Sequence, residues 1–259
     1  MATVLLLGDI TGRSRVALRM QTAVLEAKGH EVLALPTALI SNTLNLGRHC
    51  AMDTTQYLLD SLRVWEELGL SYDLLSVGYV TGEAQAAALC GVMRGARARG
   101  VYTMVDPILG DGGRRYNSVT AGQEAGMRML MEEADLITPN LTEACLLSGV
   151  PYEEAAQGGA ALDAAIDLLT GGRRSVLVTG CYTGDGGRAV CGMDTAAGAR
   201  IRLPYEKIPG HHWGTGDLYS AALMDALLSG CGLKEAAAHA ADAVTRELLR
   251  GGEGLLPQA

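Results

Sequence analysis

Residues 3–36 read TVLLLGDITGRSRVALRMQTAVLEAKGHEVLALP, and the changes of pattern inside this stretch decide the fold class. The apolar run from Thr3 to Leu7 has the character of a strand buried on both faces and stops at Gly8-Asp9. Ala17 to Ala27 carries apolar residues at helical spacing and is stopped by Gly29; Glu31 to Leu35 is a second strand, closed by Pro36. Strand, helix and strand in that order make one βαβ unit, whose strands must lie parallel.

Outward from this unit the alternation repeats. Thr54 to Leu68 is amphipathic, with Leu58, Leu62 and Trp65 on one face. Leu74 to Tyr79 is a strand before Gly82, and Glu83 to Arg99 is an Ala-rich helix ahead of the strand Val101 to Val105, which Asp106-Pro107 ends. A helix from Ala121 to Glu133, a strand from Leu136 to Thr138 and a helix from Leu141 to Ser148 follow. Next come a helix from Ala160 to Leu169, a strand from Ser175 to Thr179, a hairpin through Gly187 to Leu203, and helices from Asp217 to Ser229 and Lys234 to Leu249. The pattern predicts an α/β fold around a parallel sheet. Glycine-rich stretches at Gly158-Gly159, Gly171-Gly172 and Gly184 to Gly187 read as loops, and no linker, repeat or charge block divides residues 1–259, so one domain is expected.

Composition narrows the partners. With 48% apolar and 19% charged residues in 259, the chain can bury a large core. A net charge of −8 argues against a nucleic-acid or anionic-membrane surface and leaves small molecules or other subunits. The opening apolar run lacks a basic flank and a cleavage site, and Asp9 interrupts it, so a soluble cytoplasmic protein is expected. The six cysteines form no C-x-x-C pair and read as reduced packing residues rather than a zinc site or disulfide framework. None of the three lysines follows a glycine-rich loop, which excludes a Walker A nucleotide site. The histidines, adjacent only at His211-His212, offer neither a metalloprotease pattern nor a hydrolase triad. Phenylalanine is absent, and nothing in the pattern explains why.

In an open parallel sheet the ligand crevice lies beyond the carboxyl ends of the strands, so polar residues just after the strands carry the chemistry. Gly214-Thr215-Gly216-Asp217 leads directly into a helix, and its backbone N–H groups and helix dipole suit an anion. Asp217 either takes a proton from an attacking hydroxyl or simply caps the helix. A methyl group at Gly216 would stand where backbone must approach phosphate. Asn140-Leu141-Thr142-Glu143 either orients a hydrated magnesium ion or forms a capping box, with Glu143 read as a surface charge. Asp106 and Asp111, flanking Pro107 to Gly110, either serve a metal-bound polyphosphate or make a solvated acidic turn.

Gly8-Asp9-Ile10-Thr11-Gly12, Leu35-Pro36-Thr37-Ala38, Asp106 to Asp111, Ile137 to Ala144, Val178-Thr179-Gly180 and Gly214 to Asp217 occur in the order seen in the ribokinase-like kinases. Over about residues 4–249 the chain most resembles the pyridoxal/pyridoxamine kinases. That resemblance implies a three-layer α/β/α sandwich with a largely parallel central sheet, and a homodimer. It also implies Mg²⁺-dependent transfer of the ATP γ-phosphate to the 5′-hydroxymethyl group of pyridoxal, pyridoxamine or pyridoxine. By position, Gly214, Thr215 and Gly216 form the anion hole, Asp217 is the catalytic base, and Asn140 and Glu143 order the metal and its waters. Asp106, Asp111, Thr138 and Thr179 line the phosphate side, and Tyr116 resembles a flap tyrosine over the nucleotide. Asp9, Asn42, Thr43, Leu44 and Tyr79 fall on the substrate side. The chain departs from the family there. Gly12-Arg13-Ser14-Arg15 lacks a second glycine, and Ser41-Asn42-Thr43-Leu44-Asn45 lacks the usual histidine and following threonine. Asn42-Thr43-Leu44 is faintly similar to a segment of hydroxymethylpyrimidine kinases, which is the alternative activity; a non-catalytic vitamer- or nucleotide-binding protein is the alternative class.

Overall fold

The structure, a computed structural model, describes residues 1–46, 48–183, 186–210 and 212–250. The opening stretch folds as β1 (Thr3–Thr11), α1 (Leu18–Ala27) and β2 (Glu31–Ile40), the predicted βαβ unit with longer strands. Pro36 does not close β2. It lies opposite Gly8 while Ala38 lies opposite Asp9, so Thr37 is an extra residue at a bulge. A bulge is where a strand tolerates a residue with no N–H to give. Thr37 finds partners elsewhere: its hydroxyl donates to the Tyr79 carbonyl at 2.6 Å, and its carbonyl accepts from the Gln85 amide at 2.9 Å. The two strands therefore run on together and carry Asp9 and Thr11 past the expected strand end.

The chain continues through β3 (Ala51–Asp53), α2 (Thr55–Glu67), β4 (Leu74–Val77), α3 (Glu83–Ala98), β5 (Tyr102–Val105), β6 (Gly110–Asp111), β7 (Arg114–Arg115) and α4 (Ala121–Met131). Then follow β8 (Leu136–Ile137), α5 (Leu141–Ser148), α6 (Tyr152–Ala155), α7 (Gly159–Thr170), β9 (Ser175–Tyr182), β10 (Arg188–Asp194), β11 (Ala199–Tyr205), α8 (Thr215–Leu228) and α9 (Leu233–Leu249). Of the pieces absent from the sequence reading, β3, β6, β7 and α6 are too short to show a period. Gly159, read as loop, begins α7. Gly184 and Asp185 of the predicted loop, and His211, lie outside the described residues.

Nine strands form one sheet in the order β11-β10-β9-β8-β5-β4-β1-β2-β3. The six from β9 to β2 are parallel, while β3 and the β10–β11 hairpin are antiparallel additions at the edges. Helices cover both faces, giving the expected three layers. Leu5 and Leu7 of β1 point into one core with α3, α4, α5 and α7; Val4 and Leu6 point into the other with α1, α8 and α9. Burial on both faces is why β1 reads as an unbroken apolar run. Leucine and methionine fill the deepest positions, among them Leu5, Leu89, Met93 and Met104, without phenylalanine. From β1 the chain passes to β2 on one side and returns to β4 on the other, so the sheet order reverses between β1 and β4. That reversal opens a crevice at the carboxyl ends of the strands.

Candidate active site

Five of the six parallel strands deliver a polar residue to this edge. Asp9 and Thr11 sit on the end of β1, Tyr79 follows β4, Asp106 follows β5, Thr138 follows β8, and Thr179 lies on β9. The Thr179 N–H donates to the Pro139 carbonyl at 3.0 Å, which joins the ends of β8 and β9.

The opposite wall is the start of α8. Gly214 is its N-cap, left-handed at φ 82°, and no side chain caps the turn. Asp217 is thus in the first helical turn and is not the cap. A Cβ on Gly214 would stand 3.2 Å from the Arg15 carbonyl oxygen, whereas one on Gly216 would meet nothing within 4 Å. Gly216 has no positive φ. The N–H groups of Thr215 and Gly216 make no hydrogen bond among the described residues, and they stand at the positive end of the helix dipole. The Leu218 N–H already bonds to the Gly214 carbonyl at 2.9 Å, so the helix is regular from its first turn.

Four acids converge on this space. Burial raises the Asp9 carboxyl to about 7, helped by the charge of Asp217. Burial likewise raises Asp106 to about 7, against a hydrogen bond from Ser220. The Ser220 hydroxyl donates to Asp106 at 2.6 Å and ties α8 to the end of β5. Thr138 lies beside the same carboxyl, but its buried hydroxyl makes no well-formed hydrogen bond. Asp217 is raised by burial to about 6, with the nearby Ala17 backbone opposing that rise. Glu143 is pushed well above the usual carboxylate range by burial and by Asp106.

Glu143 corrects one expectation. It is no surface charge; only 3% of it is exposed. The capping box is real: the Asn140 side chain accepts the Glu143 N–H at 3.0 Å, and Glu143 accepts the Asn140 N–H at 2.9 Å. Glu143 also accepts the Leu109 N–H at 3.0 Å, and the Asn140 amide donates to the Gly110 carbonyl at 2.8 Å. The pair thus fastens the turn after Asp106 to α5. Gly113 in the β6–β7 hairpin is held too, its N–H bonded to the Thr142 hydroxyl at 2.9 Å.

Other predicted residues divide. Tyr116 is partly buried against the core, and its phenol is raised by burial and by Glu143, Asp111, Asp217 and Asp106, which places it among the acids. Tyr79 is raised by burial, opposed by the nearby Gln123 side chain and helped by Asp9. Asp111 is exposed and turns its carboxylate to the Gly112 N–H at 2.7 Å, so it stands apart from the buried group. The Asn42 side chain is spent on its own loop, donating to the Arg48 carbonyl at 2.9 Å and accepting from Ser41 at 2.7 Å. Leu44 packs near Tyr79, Ala38 and Ile40, and the Thr43 hydroxyl is buried without a partner. Two residues not singled out by their place in the sequence also line the site: Thr11, whose buried hydroxyl lacks a partner, and Ser220. Ser220 was findable, because it lies one helical turn after Asp217 on the same face.

Comparison with known proteins bears on this geometry. The family model described as phosphomethylpyrimidine kinase matches residues 72–254. The pyridoxine/pyridoxal/pyridoxamine kinase of Bordetella bronchiseptica is 32% identical over 234 residues, covering 86% of this chain and 80% of the relative. A Bacteroides thetaiotaomicron protein, described as a phosphomethylpyrimidine kinase and crystallised with pyridoxal, superposes with a TM-score of 0.89 at 26% identity, covering 97% of this chain and 88% of its own. Pyridoxal kinase from Lactobacillus plantarum superposes with a TM-score of 0.84 at 28% identity, covering 96% and 88% of the two chains.

Proposed function

Since this chain belongs to the pyridoxal kinases of the ribokinase-like superfamily, and to the wider phosphomethylpyrimidine kinase family, we propose how its crevice moves the ATP γ-phosphate to the 5′-hydroxymethyl group of a B6 vitamer. The observation that carries the reading is the uncapped start of α8, with Asp217 beside N–H groups that have no hydrogen-bond partner among the described residues.

The vitamer lies against Asp9, Tyr79 and the unpartnered hydroxyls of Thr11 and Thr43, with its hydroxymethyl group toward Asp217. Asp217 accepts the hydroxyl proton as the oxygen attacks the γ-phosphorus. The N–H groups of Thr215 and Gly216 meet the charge that develops on the transferring phosphoryl group. Ser220 holds Asp106, and Thr138 and Thr179 complete the phosphate side. Tyr116 borders the nucleotide.

Among the described residues no three acids are grouped to grip a bare cation, so the donor set fits a Mg²⁺ that keeps its waters. Asp9, Asp106, Glu143 and Asp217 crowd together, and among the described residues no arginine, lysine or histidine forms an ion pair with any of them. A hard dication with oxygen ligands relieves such crowding. Asn140 and Glu143 would hold it through waters, because their own atoms are engaged with backbone. Bound there, it supplies charge neutralisation for the polyphosphate.

A homodimer is part of the proposal. Leu39 and Met52 are cross-strand neighbours at the β2–β3 edge and are 41% and 61% exposed, an apolar face that a second copy would cover.

The test is ADP release with Mg²⁺-ATP and a panel of pyridoxal, pyridoxine, pyridoxamine and hydroxymethylpyrimidine. Turnover of a vitamer above the pyrimidine is expected. Preference for the pyrimidine would reassign the substrate, and ligand binding without ADP release would make the protein a binder.

A further inference from the structure

The face of the β1–β2–β3 corner that looks into the crevice can be followed pair by pair, because residues directly opposite on neighbouring strands point the same way. Asp9 lies opposite Ala38 and Thr11 opposite Ile40; Ala38 in turn lies opposite Asp53 and Ile40 opposite Ala51. The Asp53 carboxylate accepts the Thr81 hydroxyl, and Ala38 and Ile40 pack with Tyr79, so this face looks toward the turn that follows β4. Leu39, between them on β2, points the other way and is exposed.

The pairing runs on past the end of β3. The Ser41 N–H donates to the Cys50 carbonyl at 2.9 Å, and the Cys50 N–H donates to the Ser41 hydroxyl at 2.9 Å. Asn42 and His49 are the next opposed pair. Burial alternates accordingly: Ser41, Arg48 and Cys50 are exposed, whereas Asn42 and His49 are half-buried. His49 therefore shares the face that carries Asp9 and Thr11. The Asn42 side chain is spent on the Arg48 carbonyl and on Ser41. His49 Nδ1, by contrast, is buried with no hydrogen-bond partner among the described residues, as are the hydroxyls of Thr43 and Thr11. A buried donor or acceptor left without a partner is costly, and here three of them border the apolar patch of Ala38 and Ile40.

We infer that His49 is a specificity-determining residue of this crevice, its Nδ1 hydrogen-bonding the ring hydroxyl of the B6 vitamer while the ring lies over Ala38 and Ile40. The inference rests on the vitamer reading above and adds to it the group that is recognised. Pyridoxal, pyridoxine and pyridoxamine all carry a 3-hydroxyl on the ring, and hydroxymethylpyrimidine carries none. An imidazole suits that hydroxyl, since Nδ1 donates to a phenolate or accepts from a phenol according to its tautomer. A site that hydrogen-bonds a substrate hydroxyl rejects an analogue without it, because the polar group of the site is then left unpaired. The orphaned atoms are shut off from water as well, so the entering ring displaces the half-buried Leu44 side chain, which packs against the cluster of Ala38, Ile40 and Tyr79.

The test is calorimetric binding, without ATP, of pyridoxine and 3-deoxypyridoxine. The parent should bind pyridoxine about tenfold more tightly, the worth of one well-made hydrogen bond. In His49→Ala the Kd for pyridoxine should rise to that of 3-deoxypyridoxine, which itself should hardly move. His49→Gln, which keeps a hydrogen-bonding side chain, should retain part of the preference. His49→Ala should also melt no lower than the parent, because the buried nitrogen it removes has no partner to lose. An alanine variant that keeps the parental preference would overturn the inference, as would an equal weakening of both compounds, which would assign Nδ1 to the ring nitrogen they share. A parent that binds neither compound would overturn it together with the vitamer reading. A parent that shows the expected preference but releases no ADP when ATP and Mg²⁺ are added would support the inference and sink the kinase reading alone.

Discussion

At the Glu143 carboxyl, one spacing serves two purposes. Asn140 and Glu143 stand three residues apart, which suits both a capping box and a water-held metal, and burial is the property that separates them. The sequence shows spacing but not burial, since besides the local Asn140 N–H the donor that holds Glu143 is the Leu109 N–H, more than thirty residues away. Glu143→Gln is therefore expected to destabilise the fold by about 1–3 kcal/mol, because an amide NH₂ would face a buried backbone N–H. It should also make activity respond more steeply to magnesium. Thermal melts and a Mg²⁺ titration check this; an unchanged melting temperature would place Glu143 outside the buried network. The sequence order alone was enough to place Asp9, Thr138 and Thr179 at the carboxyl ends of strands and Asp217 at the start of a helix. Asn42 was not legible in that way, since its capture by the Arg48 carbonyl depends on how the loop closes.

Among the elements, the proposed mechanism leans most on α8. Its extent was readable from the apolar spacing after Asp217, but not which glycine of the turn is conformationally essential. Gly214 needs its positive φ and would hold a Cβ tightly against the Arg15 carbonyl, whereas Gly216 has neither restriction. Gly214→Ala should lower stability sharply. Gly216→Ala should melt like the parent and lose turnover, because its methyl group enters the space that the N–H groups face. A fully active Gly216→Ala would remove the phosphate from this turn. In β2 the sequence misled: Pro36 ordinarily stops a strand, and only the bulge at Thr37, stabilised by Tyr79 and Gln85, lets the strand continue. Those partners lie more than forty residues further along the chain, so local pattern could not show them.

For the whole molecule, the concentration of buried acids couples stability to pH. Asp9 and Asp106 bind protons up to about 7 and Asp217 up to about 6 when folded, against an ordinary value of 3.8. The folded state therefore holds more protons than the unfolded chain between those limits, and stability must fall as pH rises through them. Ligand-free protein should melt higher at pH 5 than at pH 8; a flat or reversed profile would mean that these acids are ionised throughout. The apolar β2–β3 edge makes a second prediction: Met52→Asp should shift a dimeric parent toward monomer in sedimentation, and an undisturbed dimer would place the interface elsewhere. The alternation that predicted the parallel sheet could not show the edge strand β3, which has only the residues Ala51–Asp53 and no period to read. The account stands most directly on single-turnover transfer from ATP to the best vitamer, measured by rapid quench with Mg²⁺ for the parent and for Asp217→Asn. Asparagine keeps the shape of the turn, so binding should persist while the rate falls by roughly two to four orders of magnitude, the range of a positioned proton acceptor. A variant that forms the 5′-phosphate within a few-fold of the parental rate would contradict it.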